Sequence, residues 1–111
     1  MLETLFGNIN VERILFFLLA NEKCYATQLK NKFNLSLSPI QNALERLERG
    51  SIIVSTLVGK TRIYQFNPRY PFLAELKIFL EKAYSFLPEE IKNKYYITTD
   101  RRRPRKKGKP L

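Results

Sequence analysis

The sequence has no histidine and one cysteine, Cys24, in 111 residues. These shortages exclude an intrachain disulfide and argue against a protein-bound metal or a Cys/His or Ser/His nucleophile. A lone cysteine fits a reducing cytoplasm. No paired carboxylates, metal-ligand spacing or glycine-rich phosphate loop appears, so no enzyme and no cofactor is expected. The longest apolar run, "ILFFLLA" at 14–20, is far short of the roughly 20 residues that span a bilayer. Glu12 and Arg13 precede it, and no signal-peptide cleavage pattern follows. The expectation is a cytoplasmic, nucleoid-associated protein with no membrane attachment. There is no internal repeat.

Acid is also scarce. Lys and Arg number 20 against 10 Asp and Glu, a formal net charge of +10. The excess is concentrated. Residues 101–111, "RRRPRKKGKPL", carry +7 and residues 23–69 carry +6, while 1–22 carry −2 and 70–100 carry −1. Such a balance implies a polyanionic partner, nucleic acid before an anionic membrane surface. Apolar material is ample: 44% hydrophobic residues, with eight Phe and six Tyr, enough for a real core.

Hydrophobic periodicity orders the chain. Asn10 is placed to cap a first helix to about Ala20, with Val11, Ile14, Leu15, Leu18 and Leu19 on its buried stripe. Phe16 and Phe17 widen that face, so the helix should be central to the core or shared with a partner. Residues 26–33 read as a second helix with Leu29 and Phe33 inward, stopped by Asn34 in a left-handed conformation. In "SLSPIQNALERLERG" (36–50), Ser38 is the expected N-cap and Pro39 the first helical residue. Ile40, Ala43, Leu44 and Leu47 form its inner face, and Gly50 or Ser51 ends it. The period then becomes two. "IIVSTLV" (52–58) and "TRIYQF" (61–66) flank Gly59-Lys60, a hairpin signal. After Asn67-Pro68 a helix is expected over 71–87, with Lys77 and Glu81 an i, i+4 pair. Pro88 starts a last short helix to about Tyr95. Past Ile97 the polar, then basic, composition predicts disorder.

The fold class expected is mainly α with a small β-hairpin. In this reading a winged helix-turn-helix domain (1–70) is followed by a C-terminal helical extension (71–97) and a basic tail (98–111). "QLKNKFNLSLSPIQNALERLERGSII" resembles the winged-helix regulators of the arsenic-repressor-like (ArsR-type) superfamily. Leu29, Phe33, Leu35, Ser36, Ser38, Ile40, Leu44, Leu47, Glu48, Ile52 and Ile53 stand in the matching places. "GKTRIYQFNP" resembles the wing, with Tyr64 and Phe66 packing inward. Asn34 replaces the usual turn glycine, and the glycine after the recognition helix falls one position early, at Gly50. The family's metal-binding Cys and His have no counterpart, so no metal is expected. The resemblance implies duplex DNA binding by a transcriptional regulator.

The candidate groove-facing residues are Ser38, Gln41, Asn42 and Arg46. Asn and Gln amides can pair with the N6/N7 edge of adenine, and Arg with guanine or a phosphate. Glu45 fits least, since it repels phosphate unless it accepts from cytosine or pairs with Arg49. Lys60 and Arg62 on the wing, and Lys30, are candidate backbone contacts. The tail cations Arg101, Arg102, Arg103, Arg105, Lys106, Lys107 and Lys109 are candidates for phosphate neutralisation. Phe72, Leu76, Phe79, Leu80 and Ala83 are candidate homodimer contacts. Two other readings remain open: a protein–protein module using helix 71–87, and an RNA- or single-strand-binding factor stacking bases on exposed Tyr95 and Tyr96.

Overall fold

In the computed structural model, which describes residues 1–97, Asn8 rather than Asn10 caps the first long helix. Its side chain accepts from the Asn10 N–H at 2.7 Å, a cap worth about 1 kcal/mol. A short helix unforeseen from the sequence, α1 (Glu3–Phe6), precedes it and ends at Gly7, whose φ of 75° favours glycine. The basic tail expectation falls on residues outside those described.

Helix α2 (Ile9–Asn21) is the centre of the core. Ile14, Phe16 and Phe17 are wholly buried and Val11, Leu15 and Leu18 nearly so. Each such side chain contributes about 1.5–3 kcal/mol on burial. Glu12 is also buried; its carboxylate accepts the Leu2 N–H at 2.7 Å, so it is not an orphan charge.

Helix α3 (Ala26–Phe33) begins after Tyr25, whose N–H reaches the Gln28 side chain at 3.2 Å. Asn34 takes the left-handed conformation, φ 56°, as its residue type suggested. Helix α4 (Leu37–Arg49) starts earlier than expected: Ser36 is the N-cap, and Ser38 lies in the first turn. Pro39 falls in that turn as well, where a missing N–H leaves nothing unpaired. At the other end Ser51 donates to the Glu48 carbonyl at 2.9 Å and Ile52 to the Leu47 carbonyl at 3.1 Å. This is a Schellman motif, and its left-handed residue is Ser51, φ 65°. The early glycine explains this: Gly50 sits at an ordinary φ of −82°, and serine bears the strained position.

A three-stranded antiparallel sheet has the order β1-β3-β2, from β1 (Lys23–Cys24), β2 (Ile53–Val58) and β3 (Thr61–Phe66). The two-residue β1 carries no sequence signal of its own. It pairs Cys24 with Tyr64, and β2 pairs Val58 with Thr61 around the Gly59-Lys60 turn. Positive φ at Gly59 but not at Lys60 matches a type II′ turn. Alternation sends Ile53, Tyr64 and Phe66 into the core and leaves the hairpin tip in solvent.

Helix α5 (Leu73–Ser85) is shorter than the 71–87 expected. Its Leu80 and Ala83 pack into the chain's own core, which corrects their assignment as dimer contacts. Lys77 does not pair with Glu81; its ammonium lies 5.5 Å from the Phe66 ring centre. After α6 (Glu89–Ile91), a π-helical turn (Lys92–Tyr96) replaces the expected ordinary helix. Asn21 holds the end of this turn, donating to the Tyr96 carbonyl at 2.7 Å. Tyr96 is buried against Phe16, Phe33 and Tyr84, and Tyr95 stacks on Phe33 at 5.0 Å. Neither tyrosine is the exposed stacking platform that a single-strand binder needs. Residues 71–97 share one core with 1–70.

Candidate nucleic-acid interface

Ile40, Ala43, Leu44 and Leu47 are buried, so α4 turns its opposite face to solvent. Ser38, Asn42, Glu45 and Arg49 stand there at i, i+4, i+7 and i+11, one straight exposed stripe. Arg49 was not among the sequence candidates, although its spacing from Ser38 could have found it. Glu45 makes no ion pair with Arg49.

The two flanks of α4 differ. Gln41 is exposed on one of them. It lines a polar cleft of about 310 Å³ with Tyr25, Thr27, Lys60 and Arg62, between the start of α3 and the hairpin. Arg46 occupies the other flank. Its guanidinium donates to the Phe6 carbonyl at 3.1 Å and lines a more apolar groove with Leu5, Phe6, Tyr70 and Leu76. Of the four groove-facing candidates, Ser38 and Asn42 share the outer stripe. Gln41 faces the hairpin, and Arg46 is tied back to α1.

The hairpin is joined to α4 by hydrogen bonds. Arg62 donates to the Ser55 hydroxyl at 3.0 Å, and that hydroxyl donates to a Glu48 carboxylate oxygen at 2.7 Å. Tyr64 lies beside this chain; burial, and next the Glu48 charge, push its phenol up from the usual range. Lys60 and Arg62 are exposed and Lys30 half-buried. Among the described residues, none of Lys30, Arg46, Arg49, Lys60 or Arg62 ion-pairs with a carboxylate. None of these charges is taken up in a direct ion pair, which leaves them available to a polyanion.

A second surface is apolar. Phe72, Phe79 and Phe86 recur at seven-residue spacing on α5 and its flanks, and are 63%, 41% and 70% exposed. Leu5 of α1, 66% exposed, lies beside Phe72 and Phe79. Among the described residues, no group of three or more His, Cys, Asp or Glu side chains gathers as a metal site, and no helix is long and apolar enough to cross a membrane.

Helix, helix, turn, helix and a hairpin packed on that last helix define a winged helix-turn-helix protein. No family model and no curated protein matches the chain. Solved structures do resemble it. An apo-form double mutant of ZitR from Lactococcus lactis matches at TM-score 0.53 and 18% identity, over 90% of this chain and 76% of that one. A second structure of that mutant gives 0.52 and 20%, over 82% and 63%. The adhesin competence repressor AdcR from Streptococcus pyogenes gives 0.51 and 14%, over 85% and 80%. At these identities the likeness carries the winged-helix fold, and it does not single out the arsenic-repressor type.

Proposed function

We propose that this chain is a sequence-preferring, duplex-DNA-binding transcriptional regulator that acts as a homodimer without catalytic activity. One observation carries the reading: Gln41, on the flank of α4 next to its exposed stripe, and the wing cations Lys60 and Arg62 line one cleft, and Glu48–Ser55–Arg62 ties the wing to the helix. In this reading α4 enters the major groove. Asn42 and Gln41 read base edges, with Arg49 beside them, and Ser38 meets a phosphate at the start of the helix. Lys60 and Arg62 follow the adjacent backbone or minor groove, and Lys30 takes a further phosphate.

The tail cations neutralise phosphates without specifying sequence; seven of them add up to about six units of salt slope at roughly 0.9 each. The exposed phenylalanines of α5, with Leu5 and half-buried Leu76, meet the same surface of a second copy. A two-fold dimer then sets two α4 helices about 34 Å apart, one turn of DNA. The partner is double-stranded DNA; neither a membrane nor a metal belongs to this reading. Selection of bound sequences from random duplex DNA tests it. A two-half-site consensus is expected, and no binding at low salt sinks the proposal. In that event the protein–protein reading gains, because the aromatic surface of α5 is the feature that favours it.

A further inference from the structure

Arg46 is the cation of α4 whose position least suits a base. Its guanidinium leaves the outer stripe and donates to the Phe6 carbonyl, at the end of α1. The acceptor is well defined. Gly7 closes α1 in a left-handed conformation, and its N–H is tied to the Glu3 carbonyl at 2.6 Å. A methyl group at Gly7 would lie 3.9 Å from the Arg46 Nη2, so the guanidinium sits directly against this turn. Leu5 and Phe6 of α1 then line the groove shared with Phe72, Leu76 and Phe79. Arg46 therefore joins the recognition helix, through one short helix, to the apolar face. The bond is charge-assisted, of the stronger kind.

We propose that Arg46 is a positioning residue, holding the recognition helix at a set angle to the α1–α5 face and so fixing the spacing of two half-sites rather than reading a base. The inference rests on the dimeric DNA-binding reading. It assigns different tasks to two exposed arginines one turn apart: Arg49 stands on the outer stripe, and Arg46 braces sideways against α1. The bracing predicts that losing the Arg46 donors loosens α1 while leaving base contacts in place.

The experiment compares the full chain with Arg46→Met, which keeps the stem but no donor, and Arg46→Lys, which keeps one donor group. Selected duplexes report half-site spacing and base preference together, a salt titration reports phosphate contacts, and amide exchange at residues 6–8 reports bracing. For Arg46→Met, discrimination against sites one base pair off should fall about tenfold, the equivalent of one such bond. Base preference and salt slope should hold, exchange at 6–8 should quicken, and Arg46→Lys should restore part of each. A flattened base position, or a slope lower by about 0.9 with spacing intact, overturns the proposal because Arg46 then touches DNA. A monomeric mass on DNA refutes the dimer reading separately, and exchange at 6–8 still decides the brace: unchanged rates overturn it.

Discussion

Arg62 on the wing donates to the hydroxyl of Ser55 on the facing strand at 3.0 Å, and that hydroxyl donates in turn to a Glu48 carboxylate oxygen on α4 at 2.7 Å. The wing cation is thereby aimed by the helix it flanks. Ser55→Ala should leave the melting temperature nearly unchanged, since the Glu48 and Arg62 side chains that its hydroxyl meets are exposed, and weaken binding to a selected duplex by several-fold to about tenfold. Ser55→Thr keeps the hydroxyl and should recover most of the loss. Full affinity in the alanine variant would remove the wing brace from the account.

Asn42 and Arg49 share the outer face of α4, whereas Lys60 lies on the wing turn. Asn42→Ala and Arg49→Ala should each cost about 1–3 kcal/mol on the preferred sequence and less on random DNA. Lys60→Ala should weaken all sequences alike and lower the salt slope by about 0.9. Removing residues 100–111 should lower that slope much further and leave the preferred sequence intact. Binding isotherms at several salt concentrations, on selected and scrambled duplexes, separate these outcomes.

The phenylalanines of α5 and the residues beneath them should behave oppositely. Leu80 is fully buried, and Leu80→Ala should cost about 2–5 kcal/mol of folding stability. Phe79 is 41% exposed, so Phe79→Glu should spare most of that stability and shift the sedimenting mass to the monomer. A Phe79→Glu variant that remains dimeric would place the interface elsewhere.

Ser51 carries a φ of 65° in the Schellman turn after α4. Glycine has no Cβ penalty there, so Ser51→Gly should stabilise by about 0.5–1 kcal/mol and raise the melting temperature by a few degrees. A lowered melting temperature would mean that the serine side chain itself stabilises the turn.

Burial pushes the Cys24 thiol up from 9.0 to about 12. The folded chain then holds this proton more tightly than the unfolded chain. Its contribution to stability is full below pH 9 and is lost as pH rises from 9 towards 12. Tyr64, Tyr84 and Tyr96, all shifted upward mainly by burial, extend the loss to higher pH. Urea titrations across this range should show falling stability, with a shallower fall in Cys24→Ala. A fall that is the same in both proteins would show the thiol to be unlinked to folding.

The sequence alone determined the order of the major elements, because their signals are local. Ile40, Ala43, Leu44 and Leu47 repeat with helical period, Gly59-Lys60 punctuates two alternating strands, and Asn34 tolerates a left-handed backbone. Composition likewise placed the charge and excluded a disulfide. Tertiary structure decided what depends on partners distant in sequence. Strand β1 exists because Tyr64 and Gln65 offer it an edge, and the π-helical turn ends where Asn21 of α2 binds Tyr96. Arg46 and Arg49 look equivalent as residues on a polar helix face. Only the Phe6 carbonyl, 40 residues away in the chain, ties one of them to α1, because a hydrogen-bond acceptor brought close by packing leaves no trace in local periodicity.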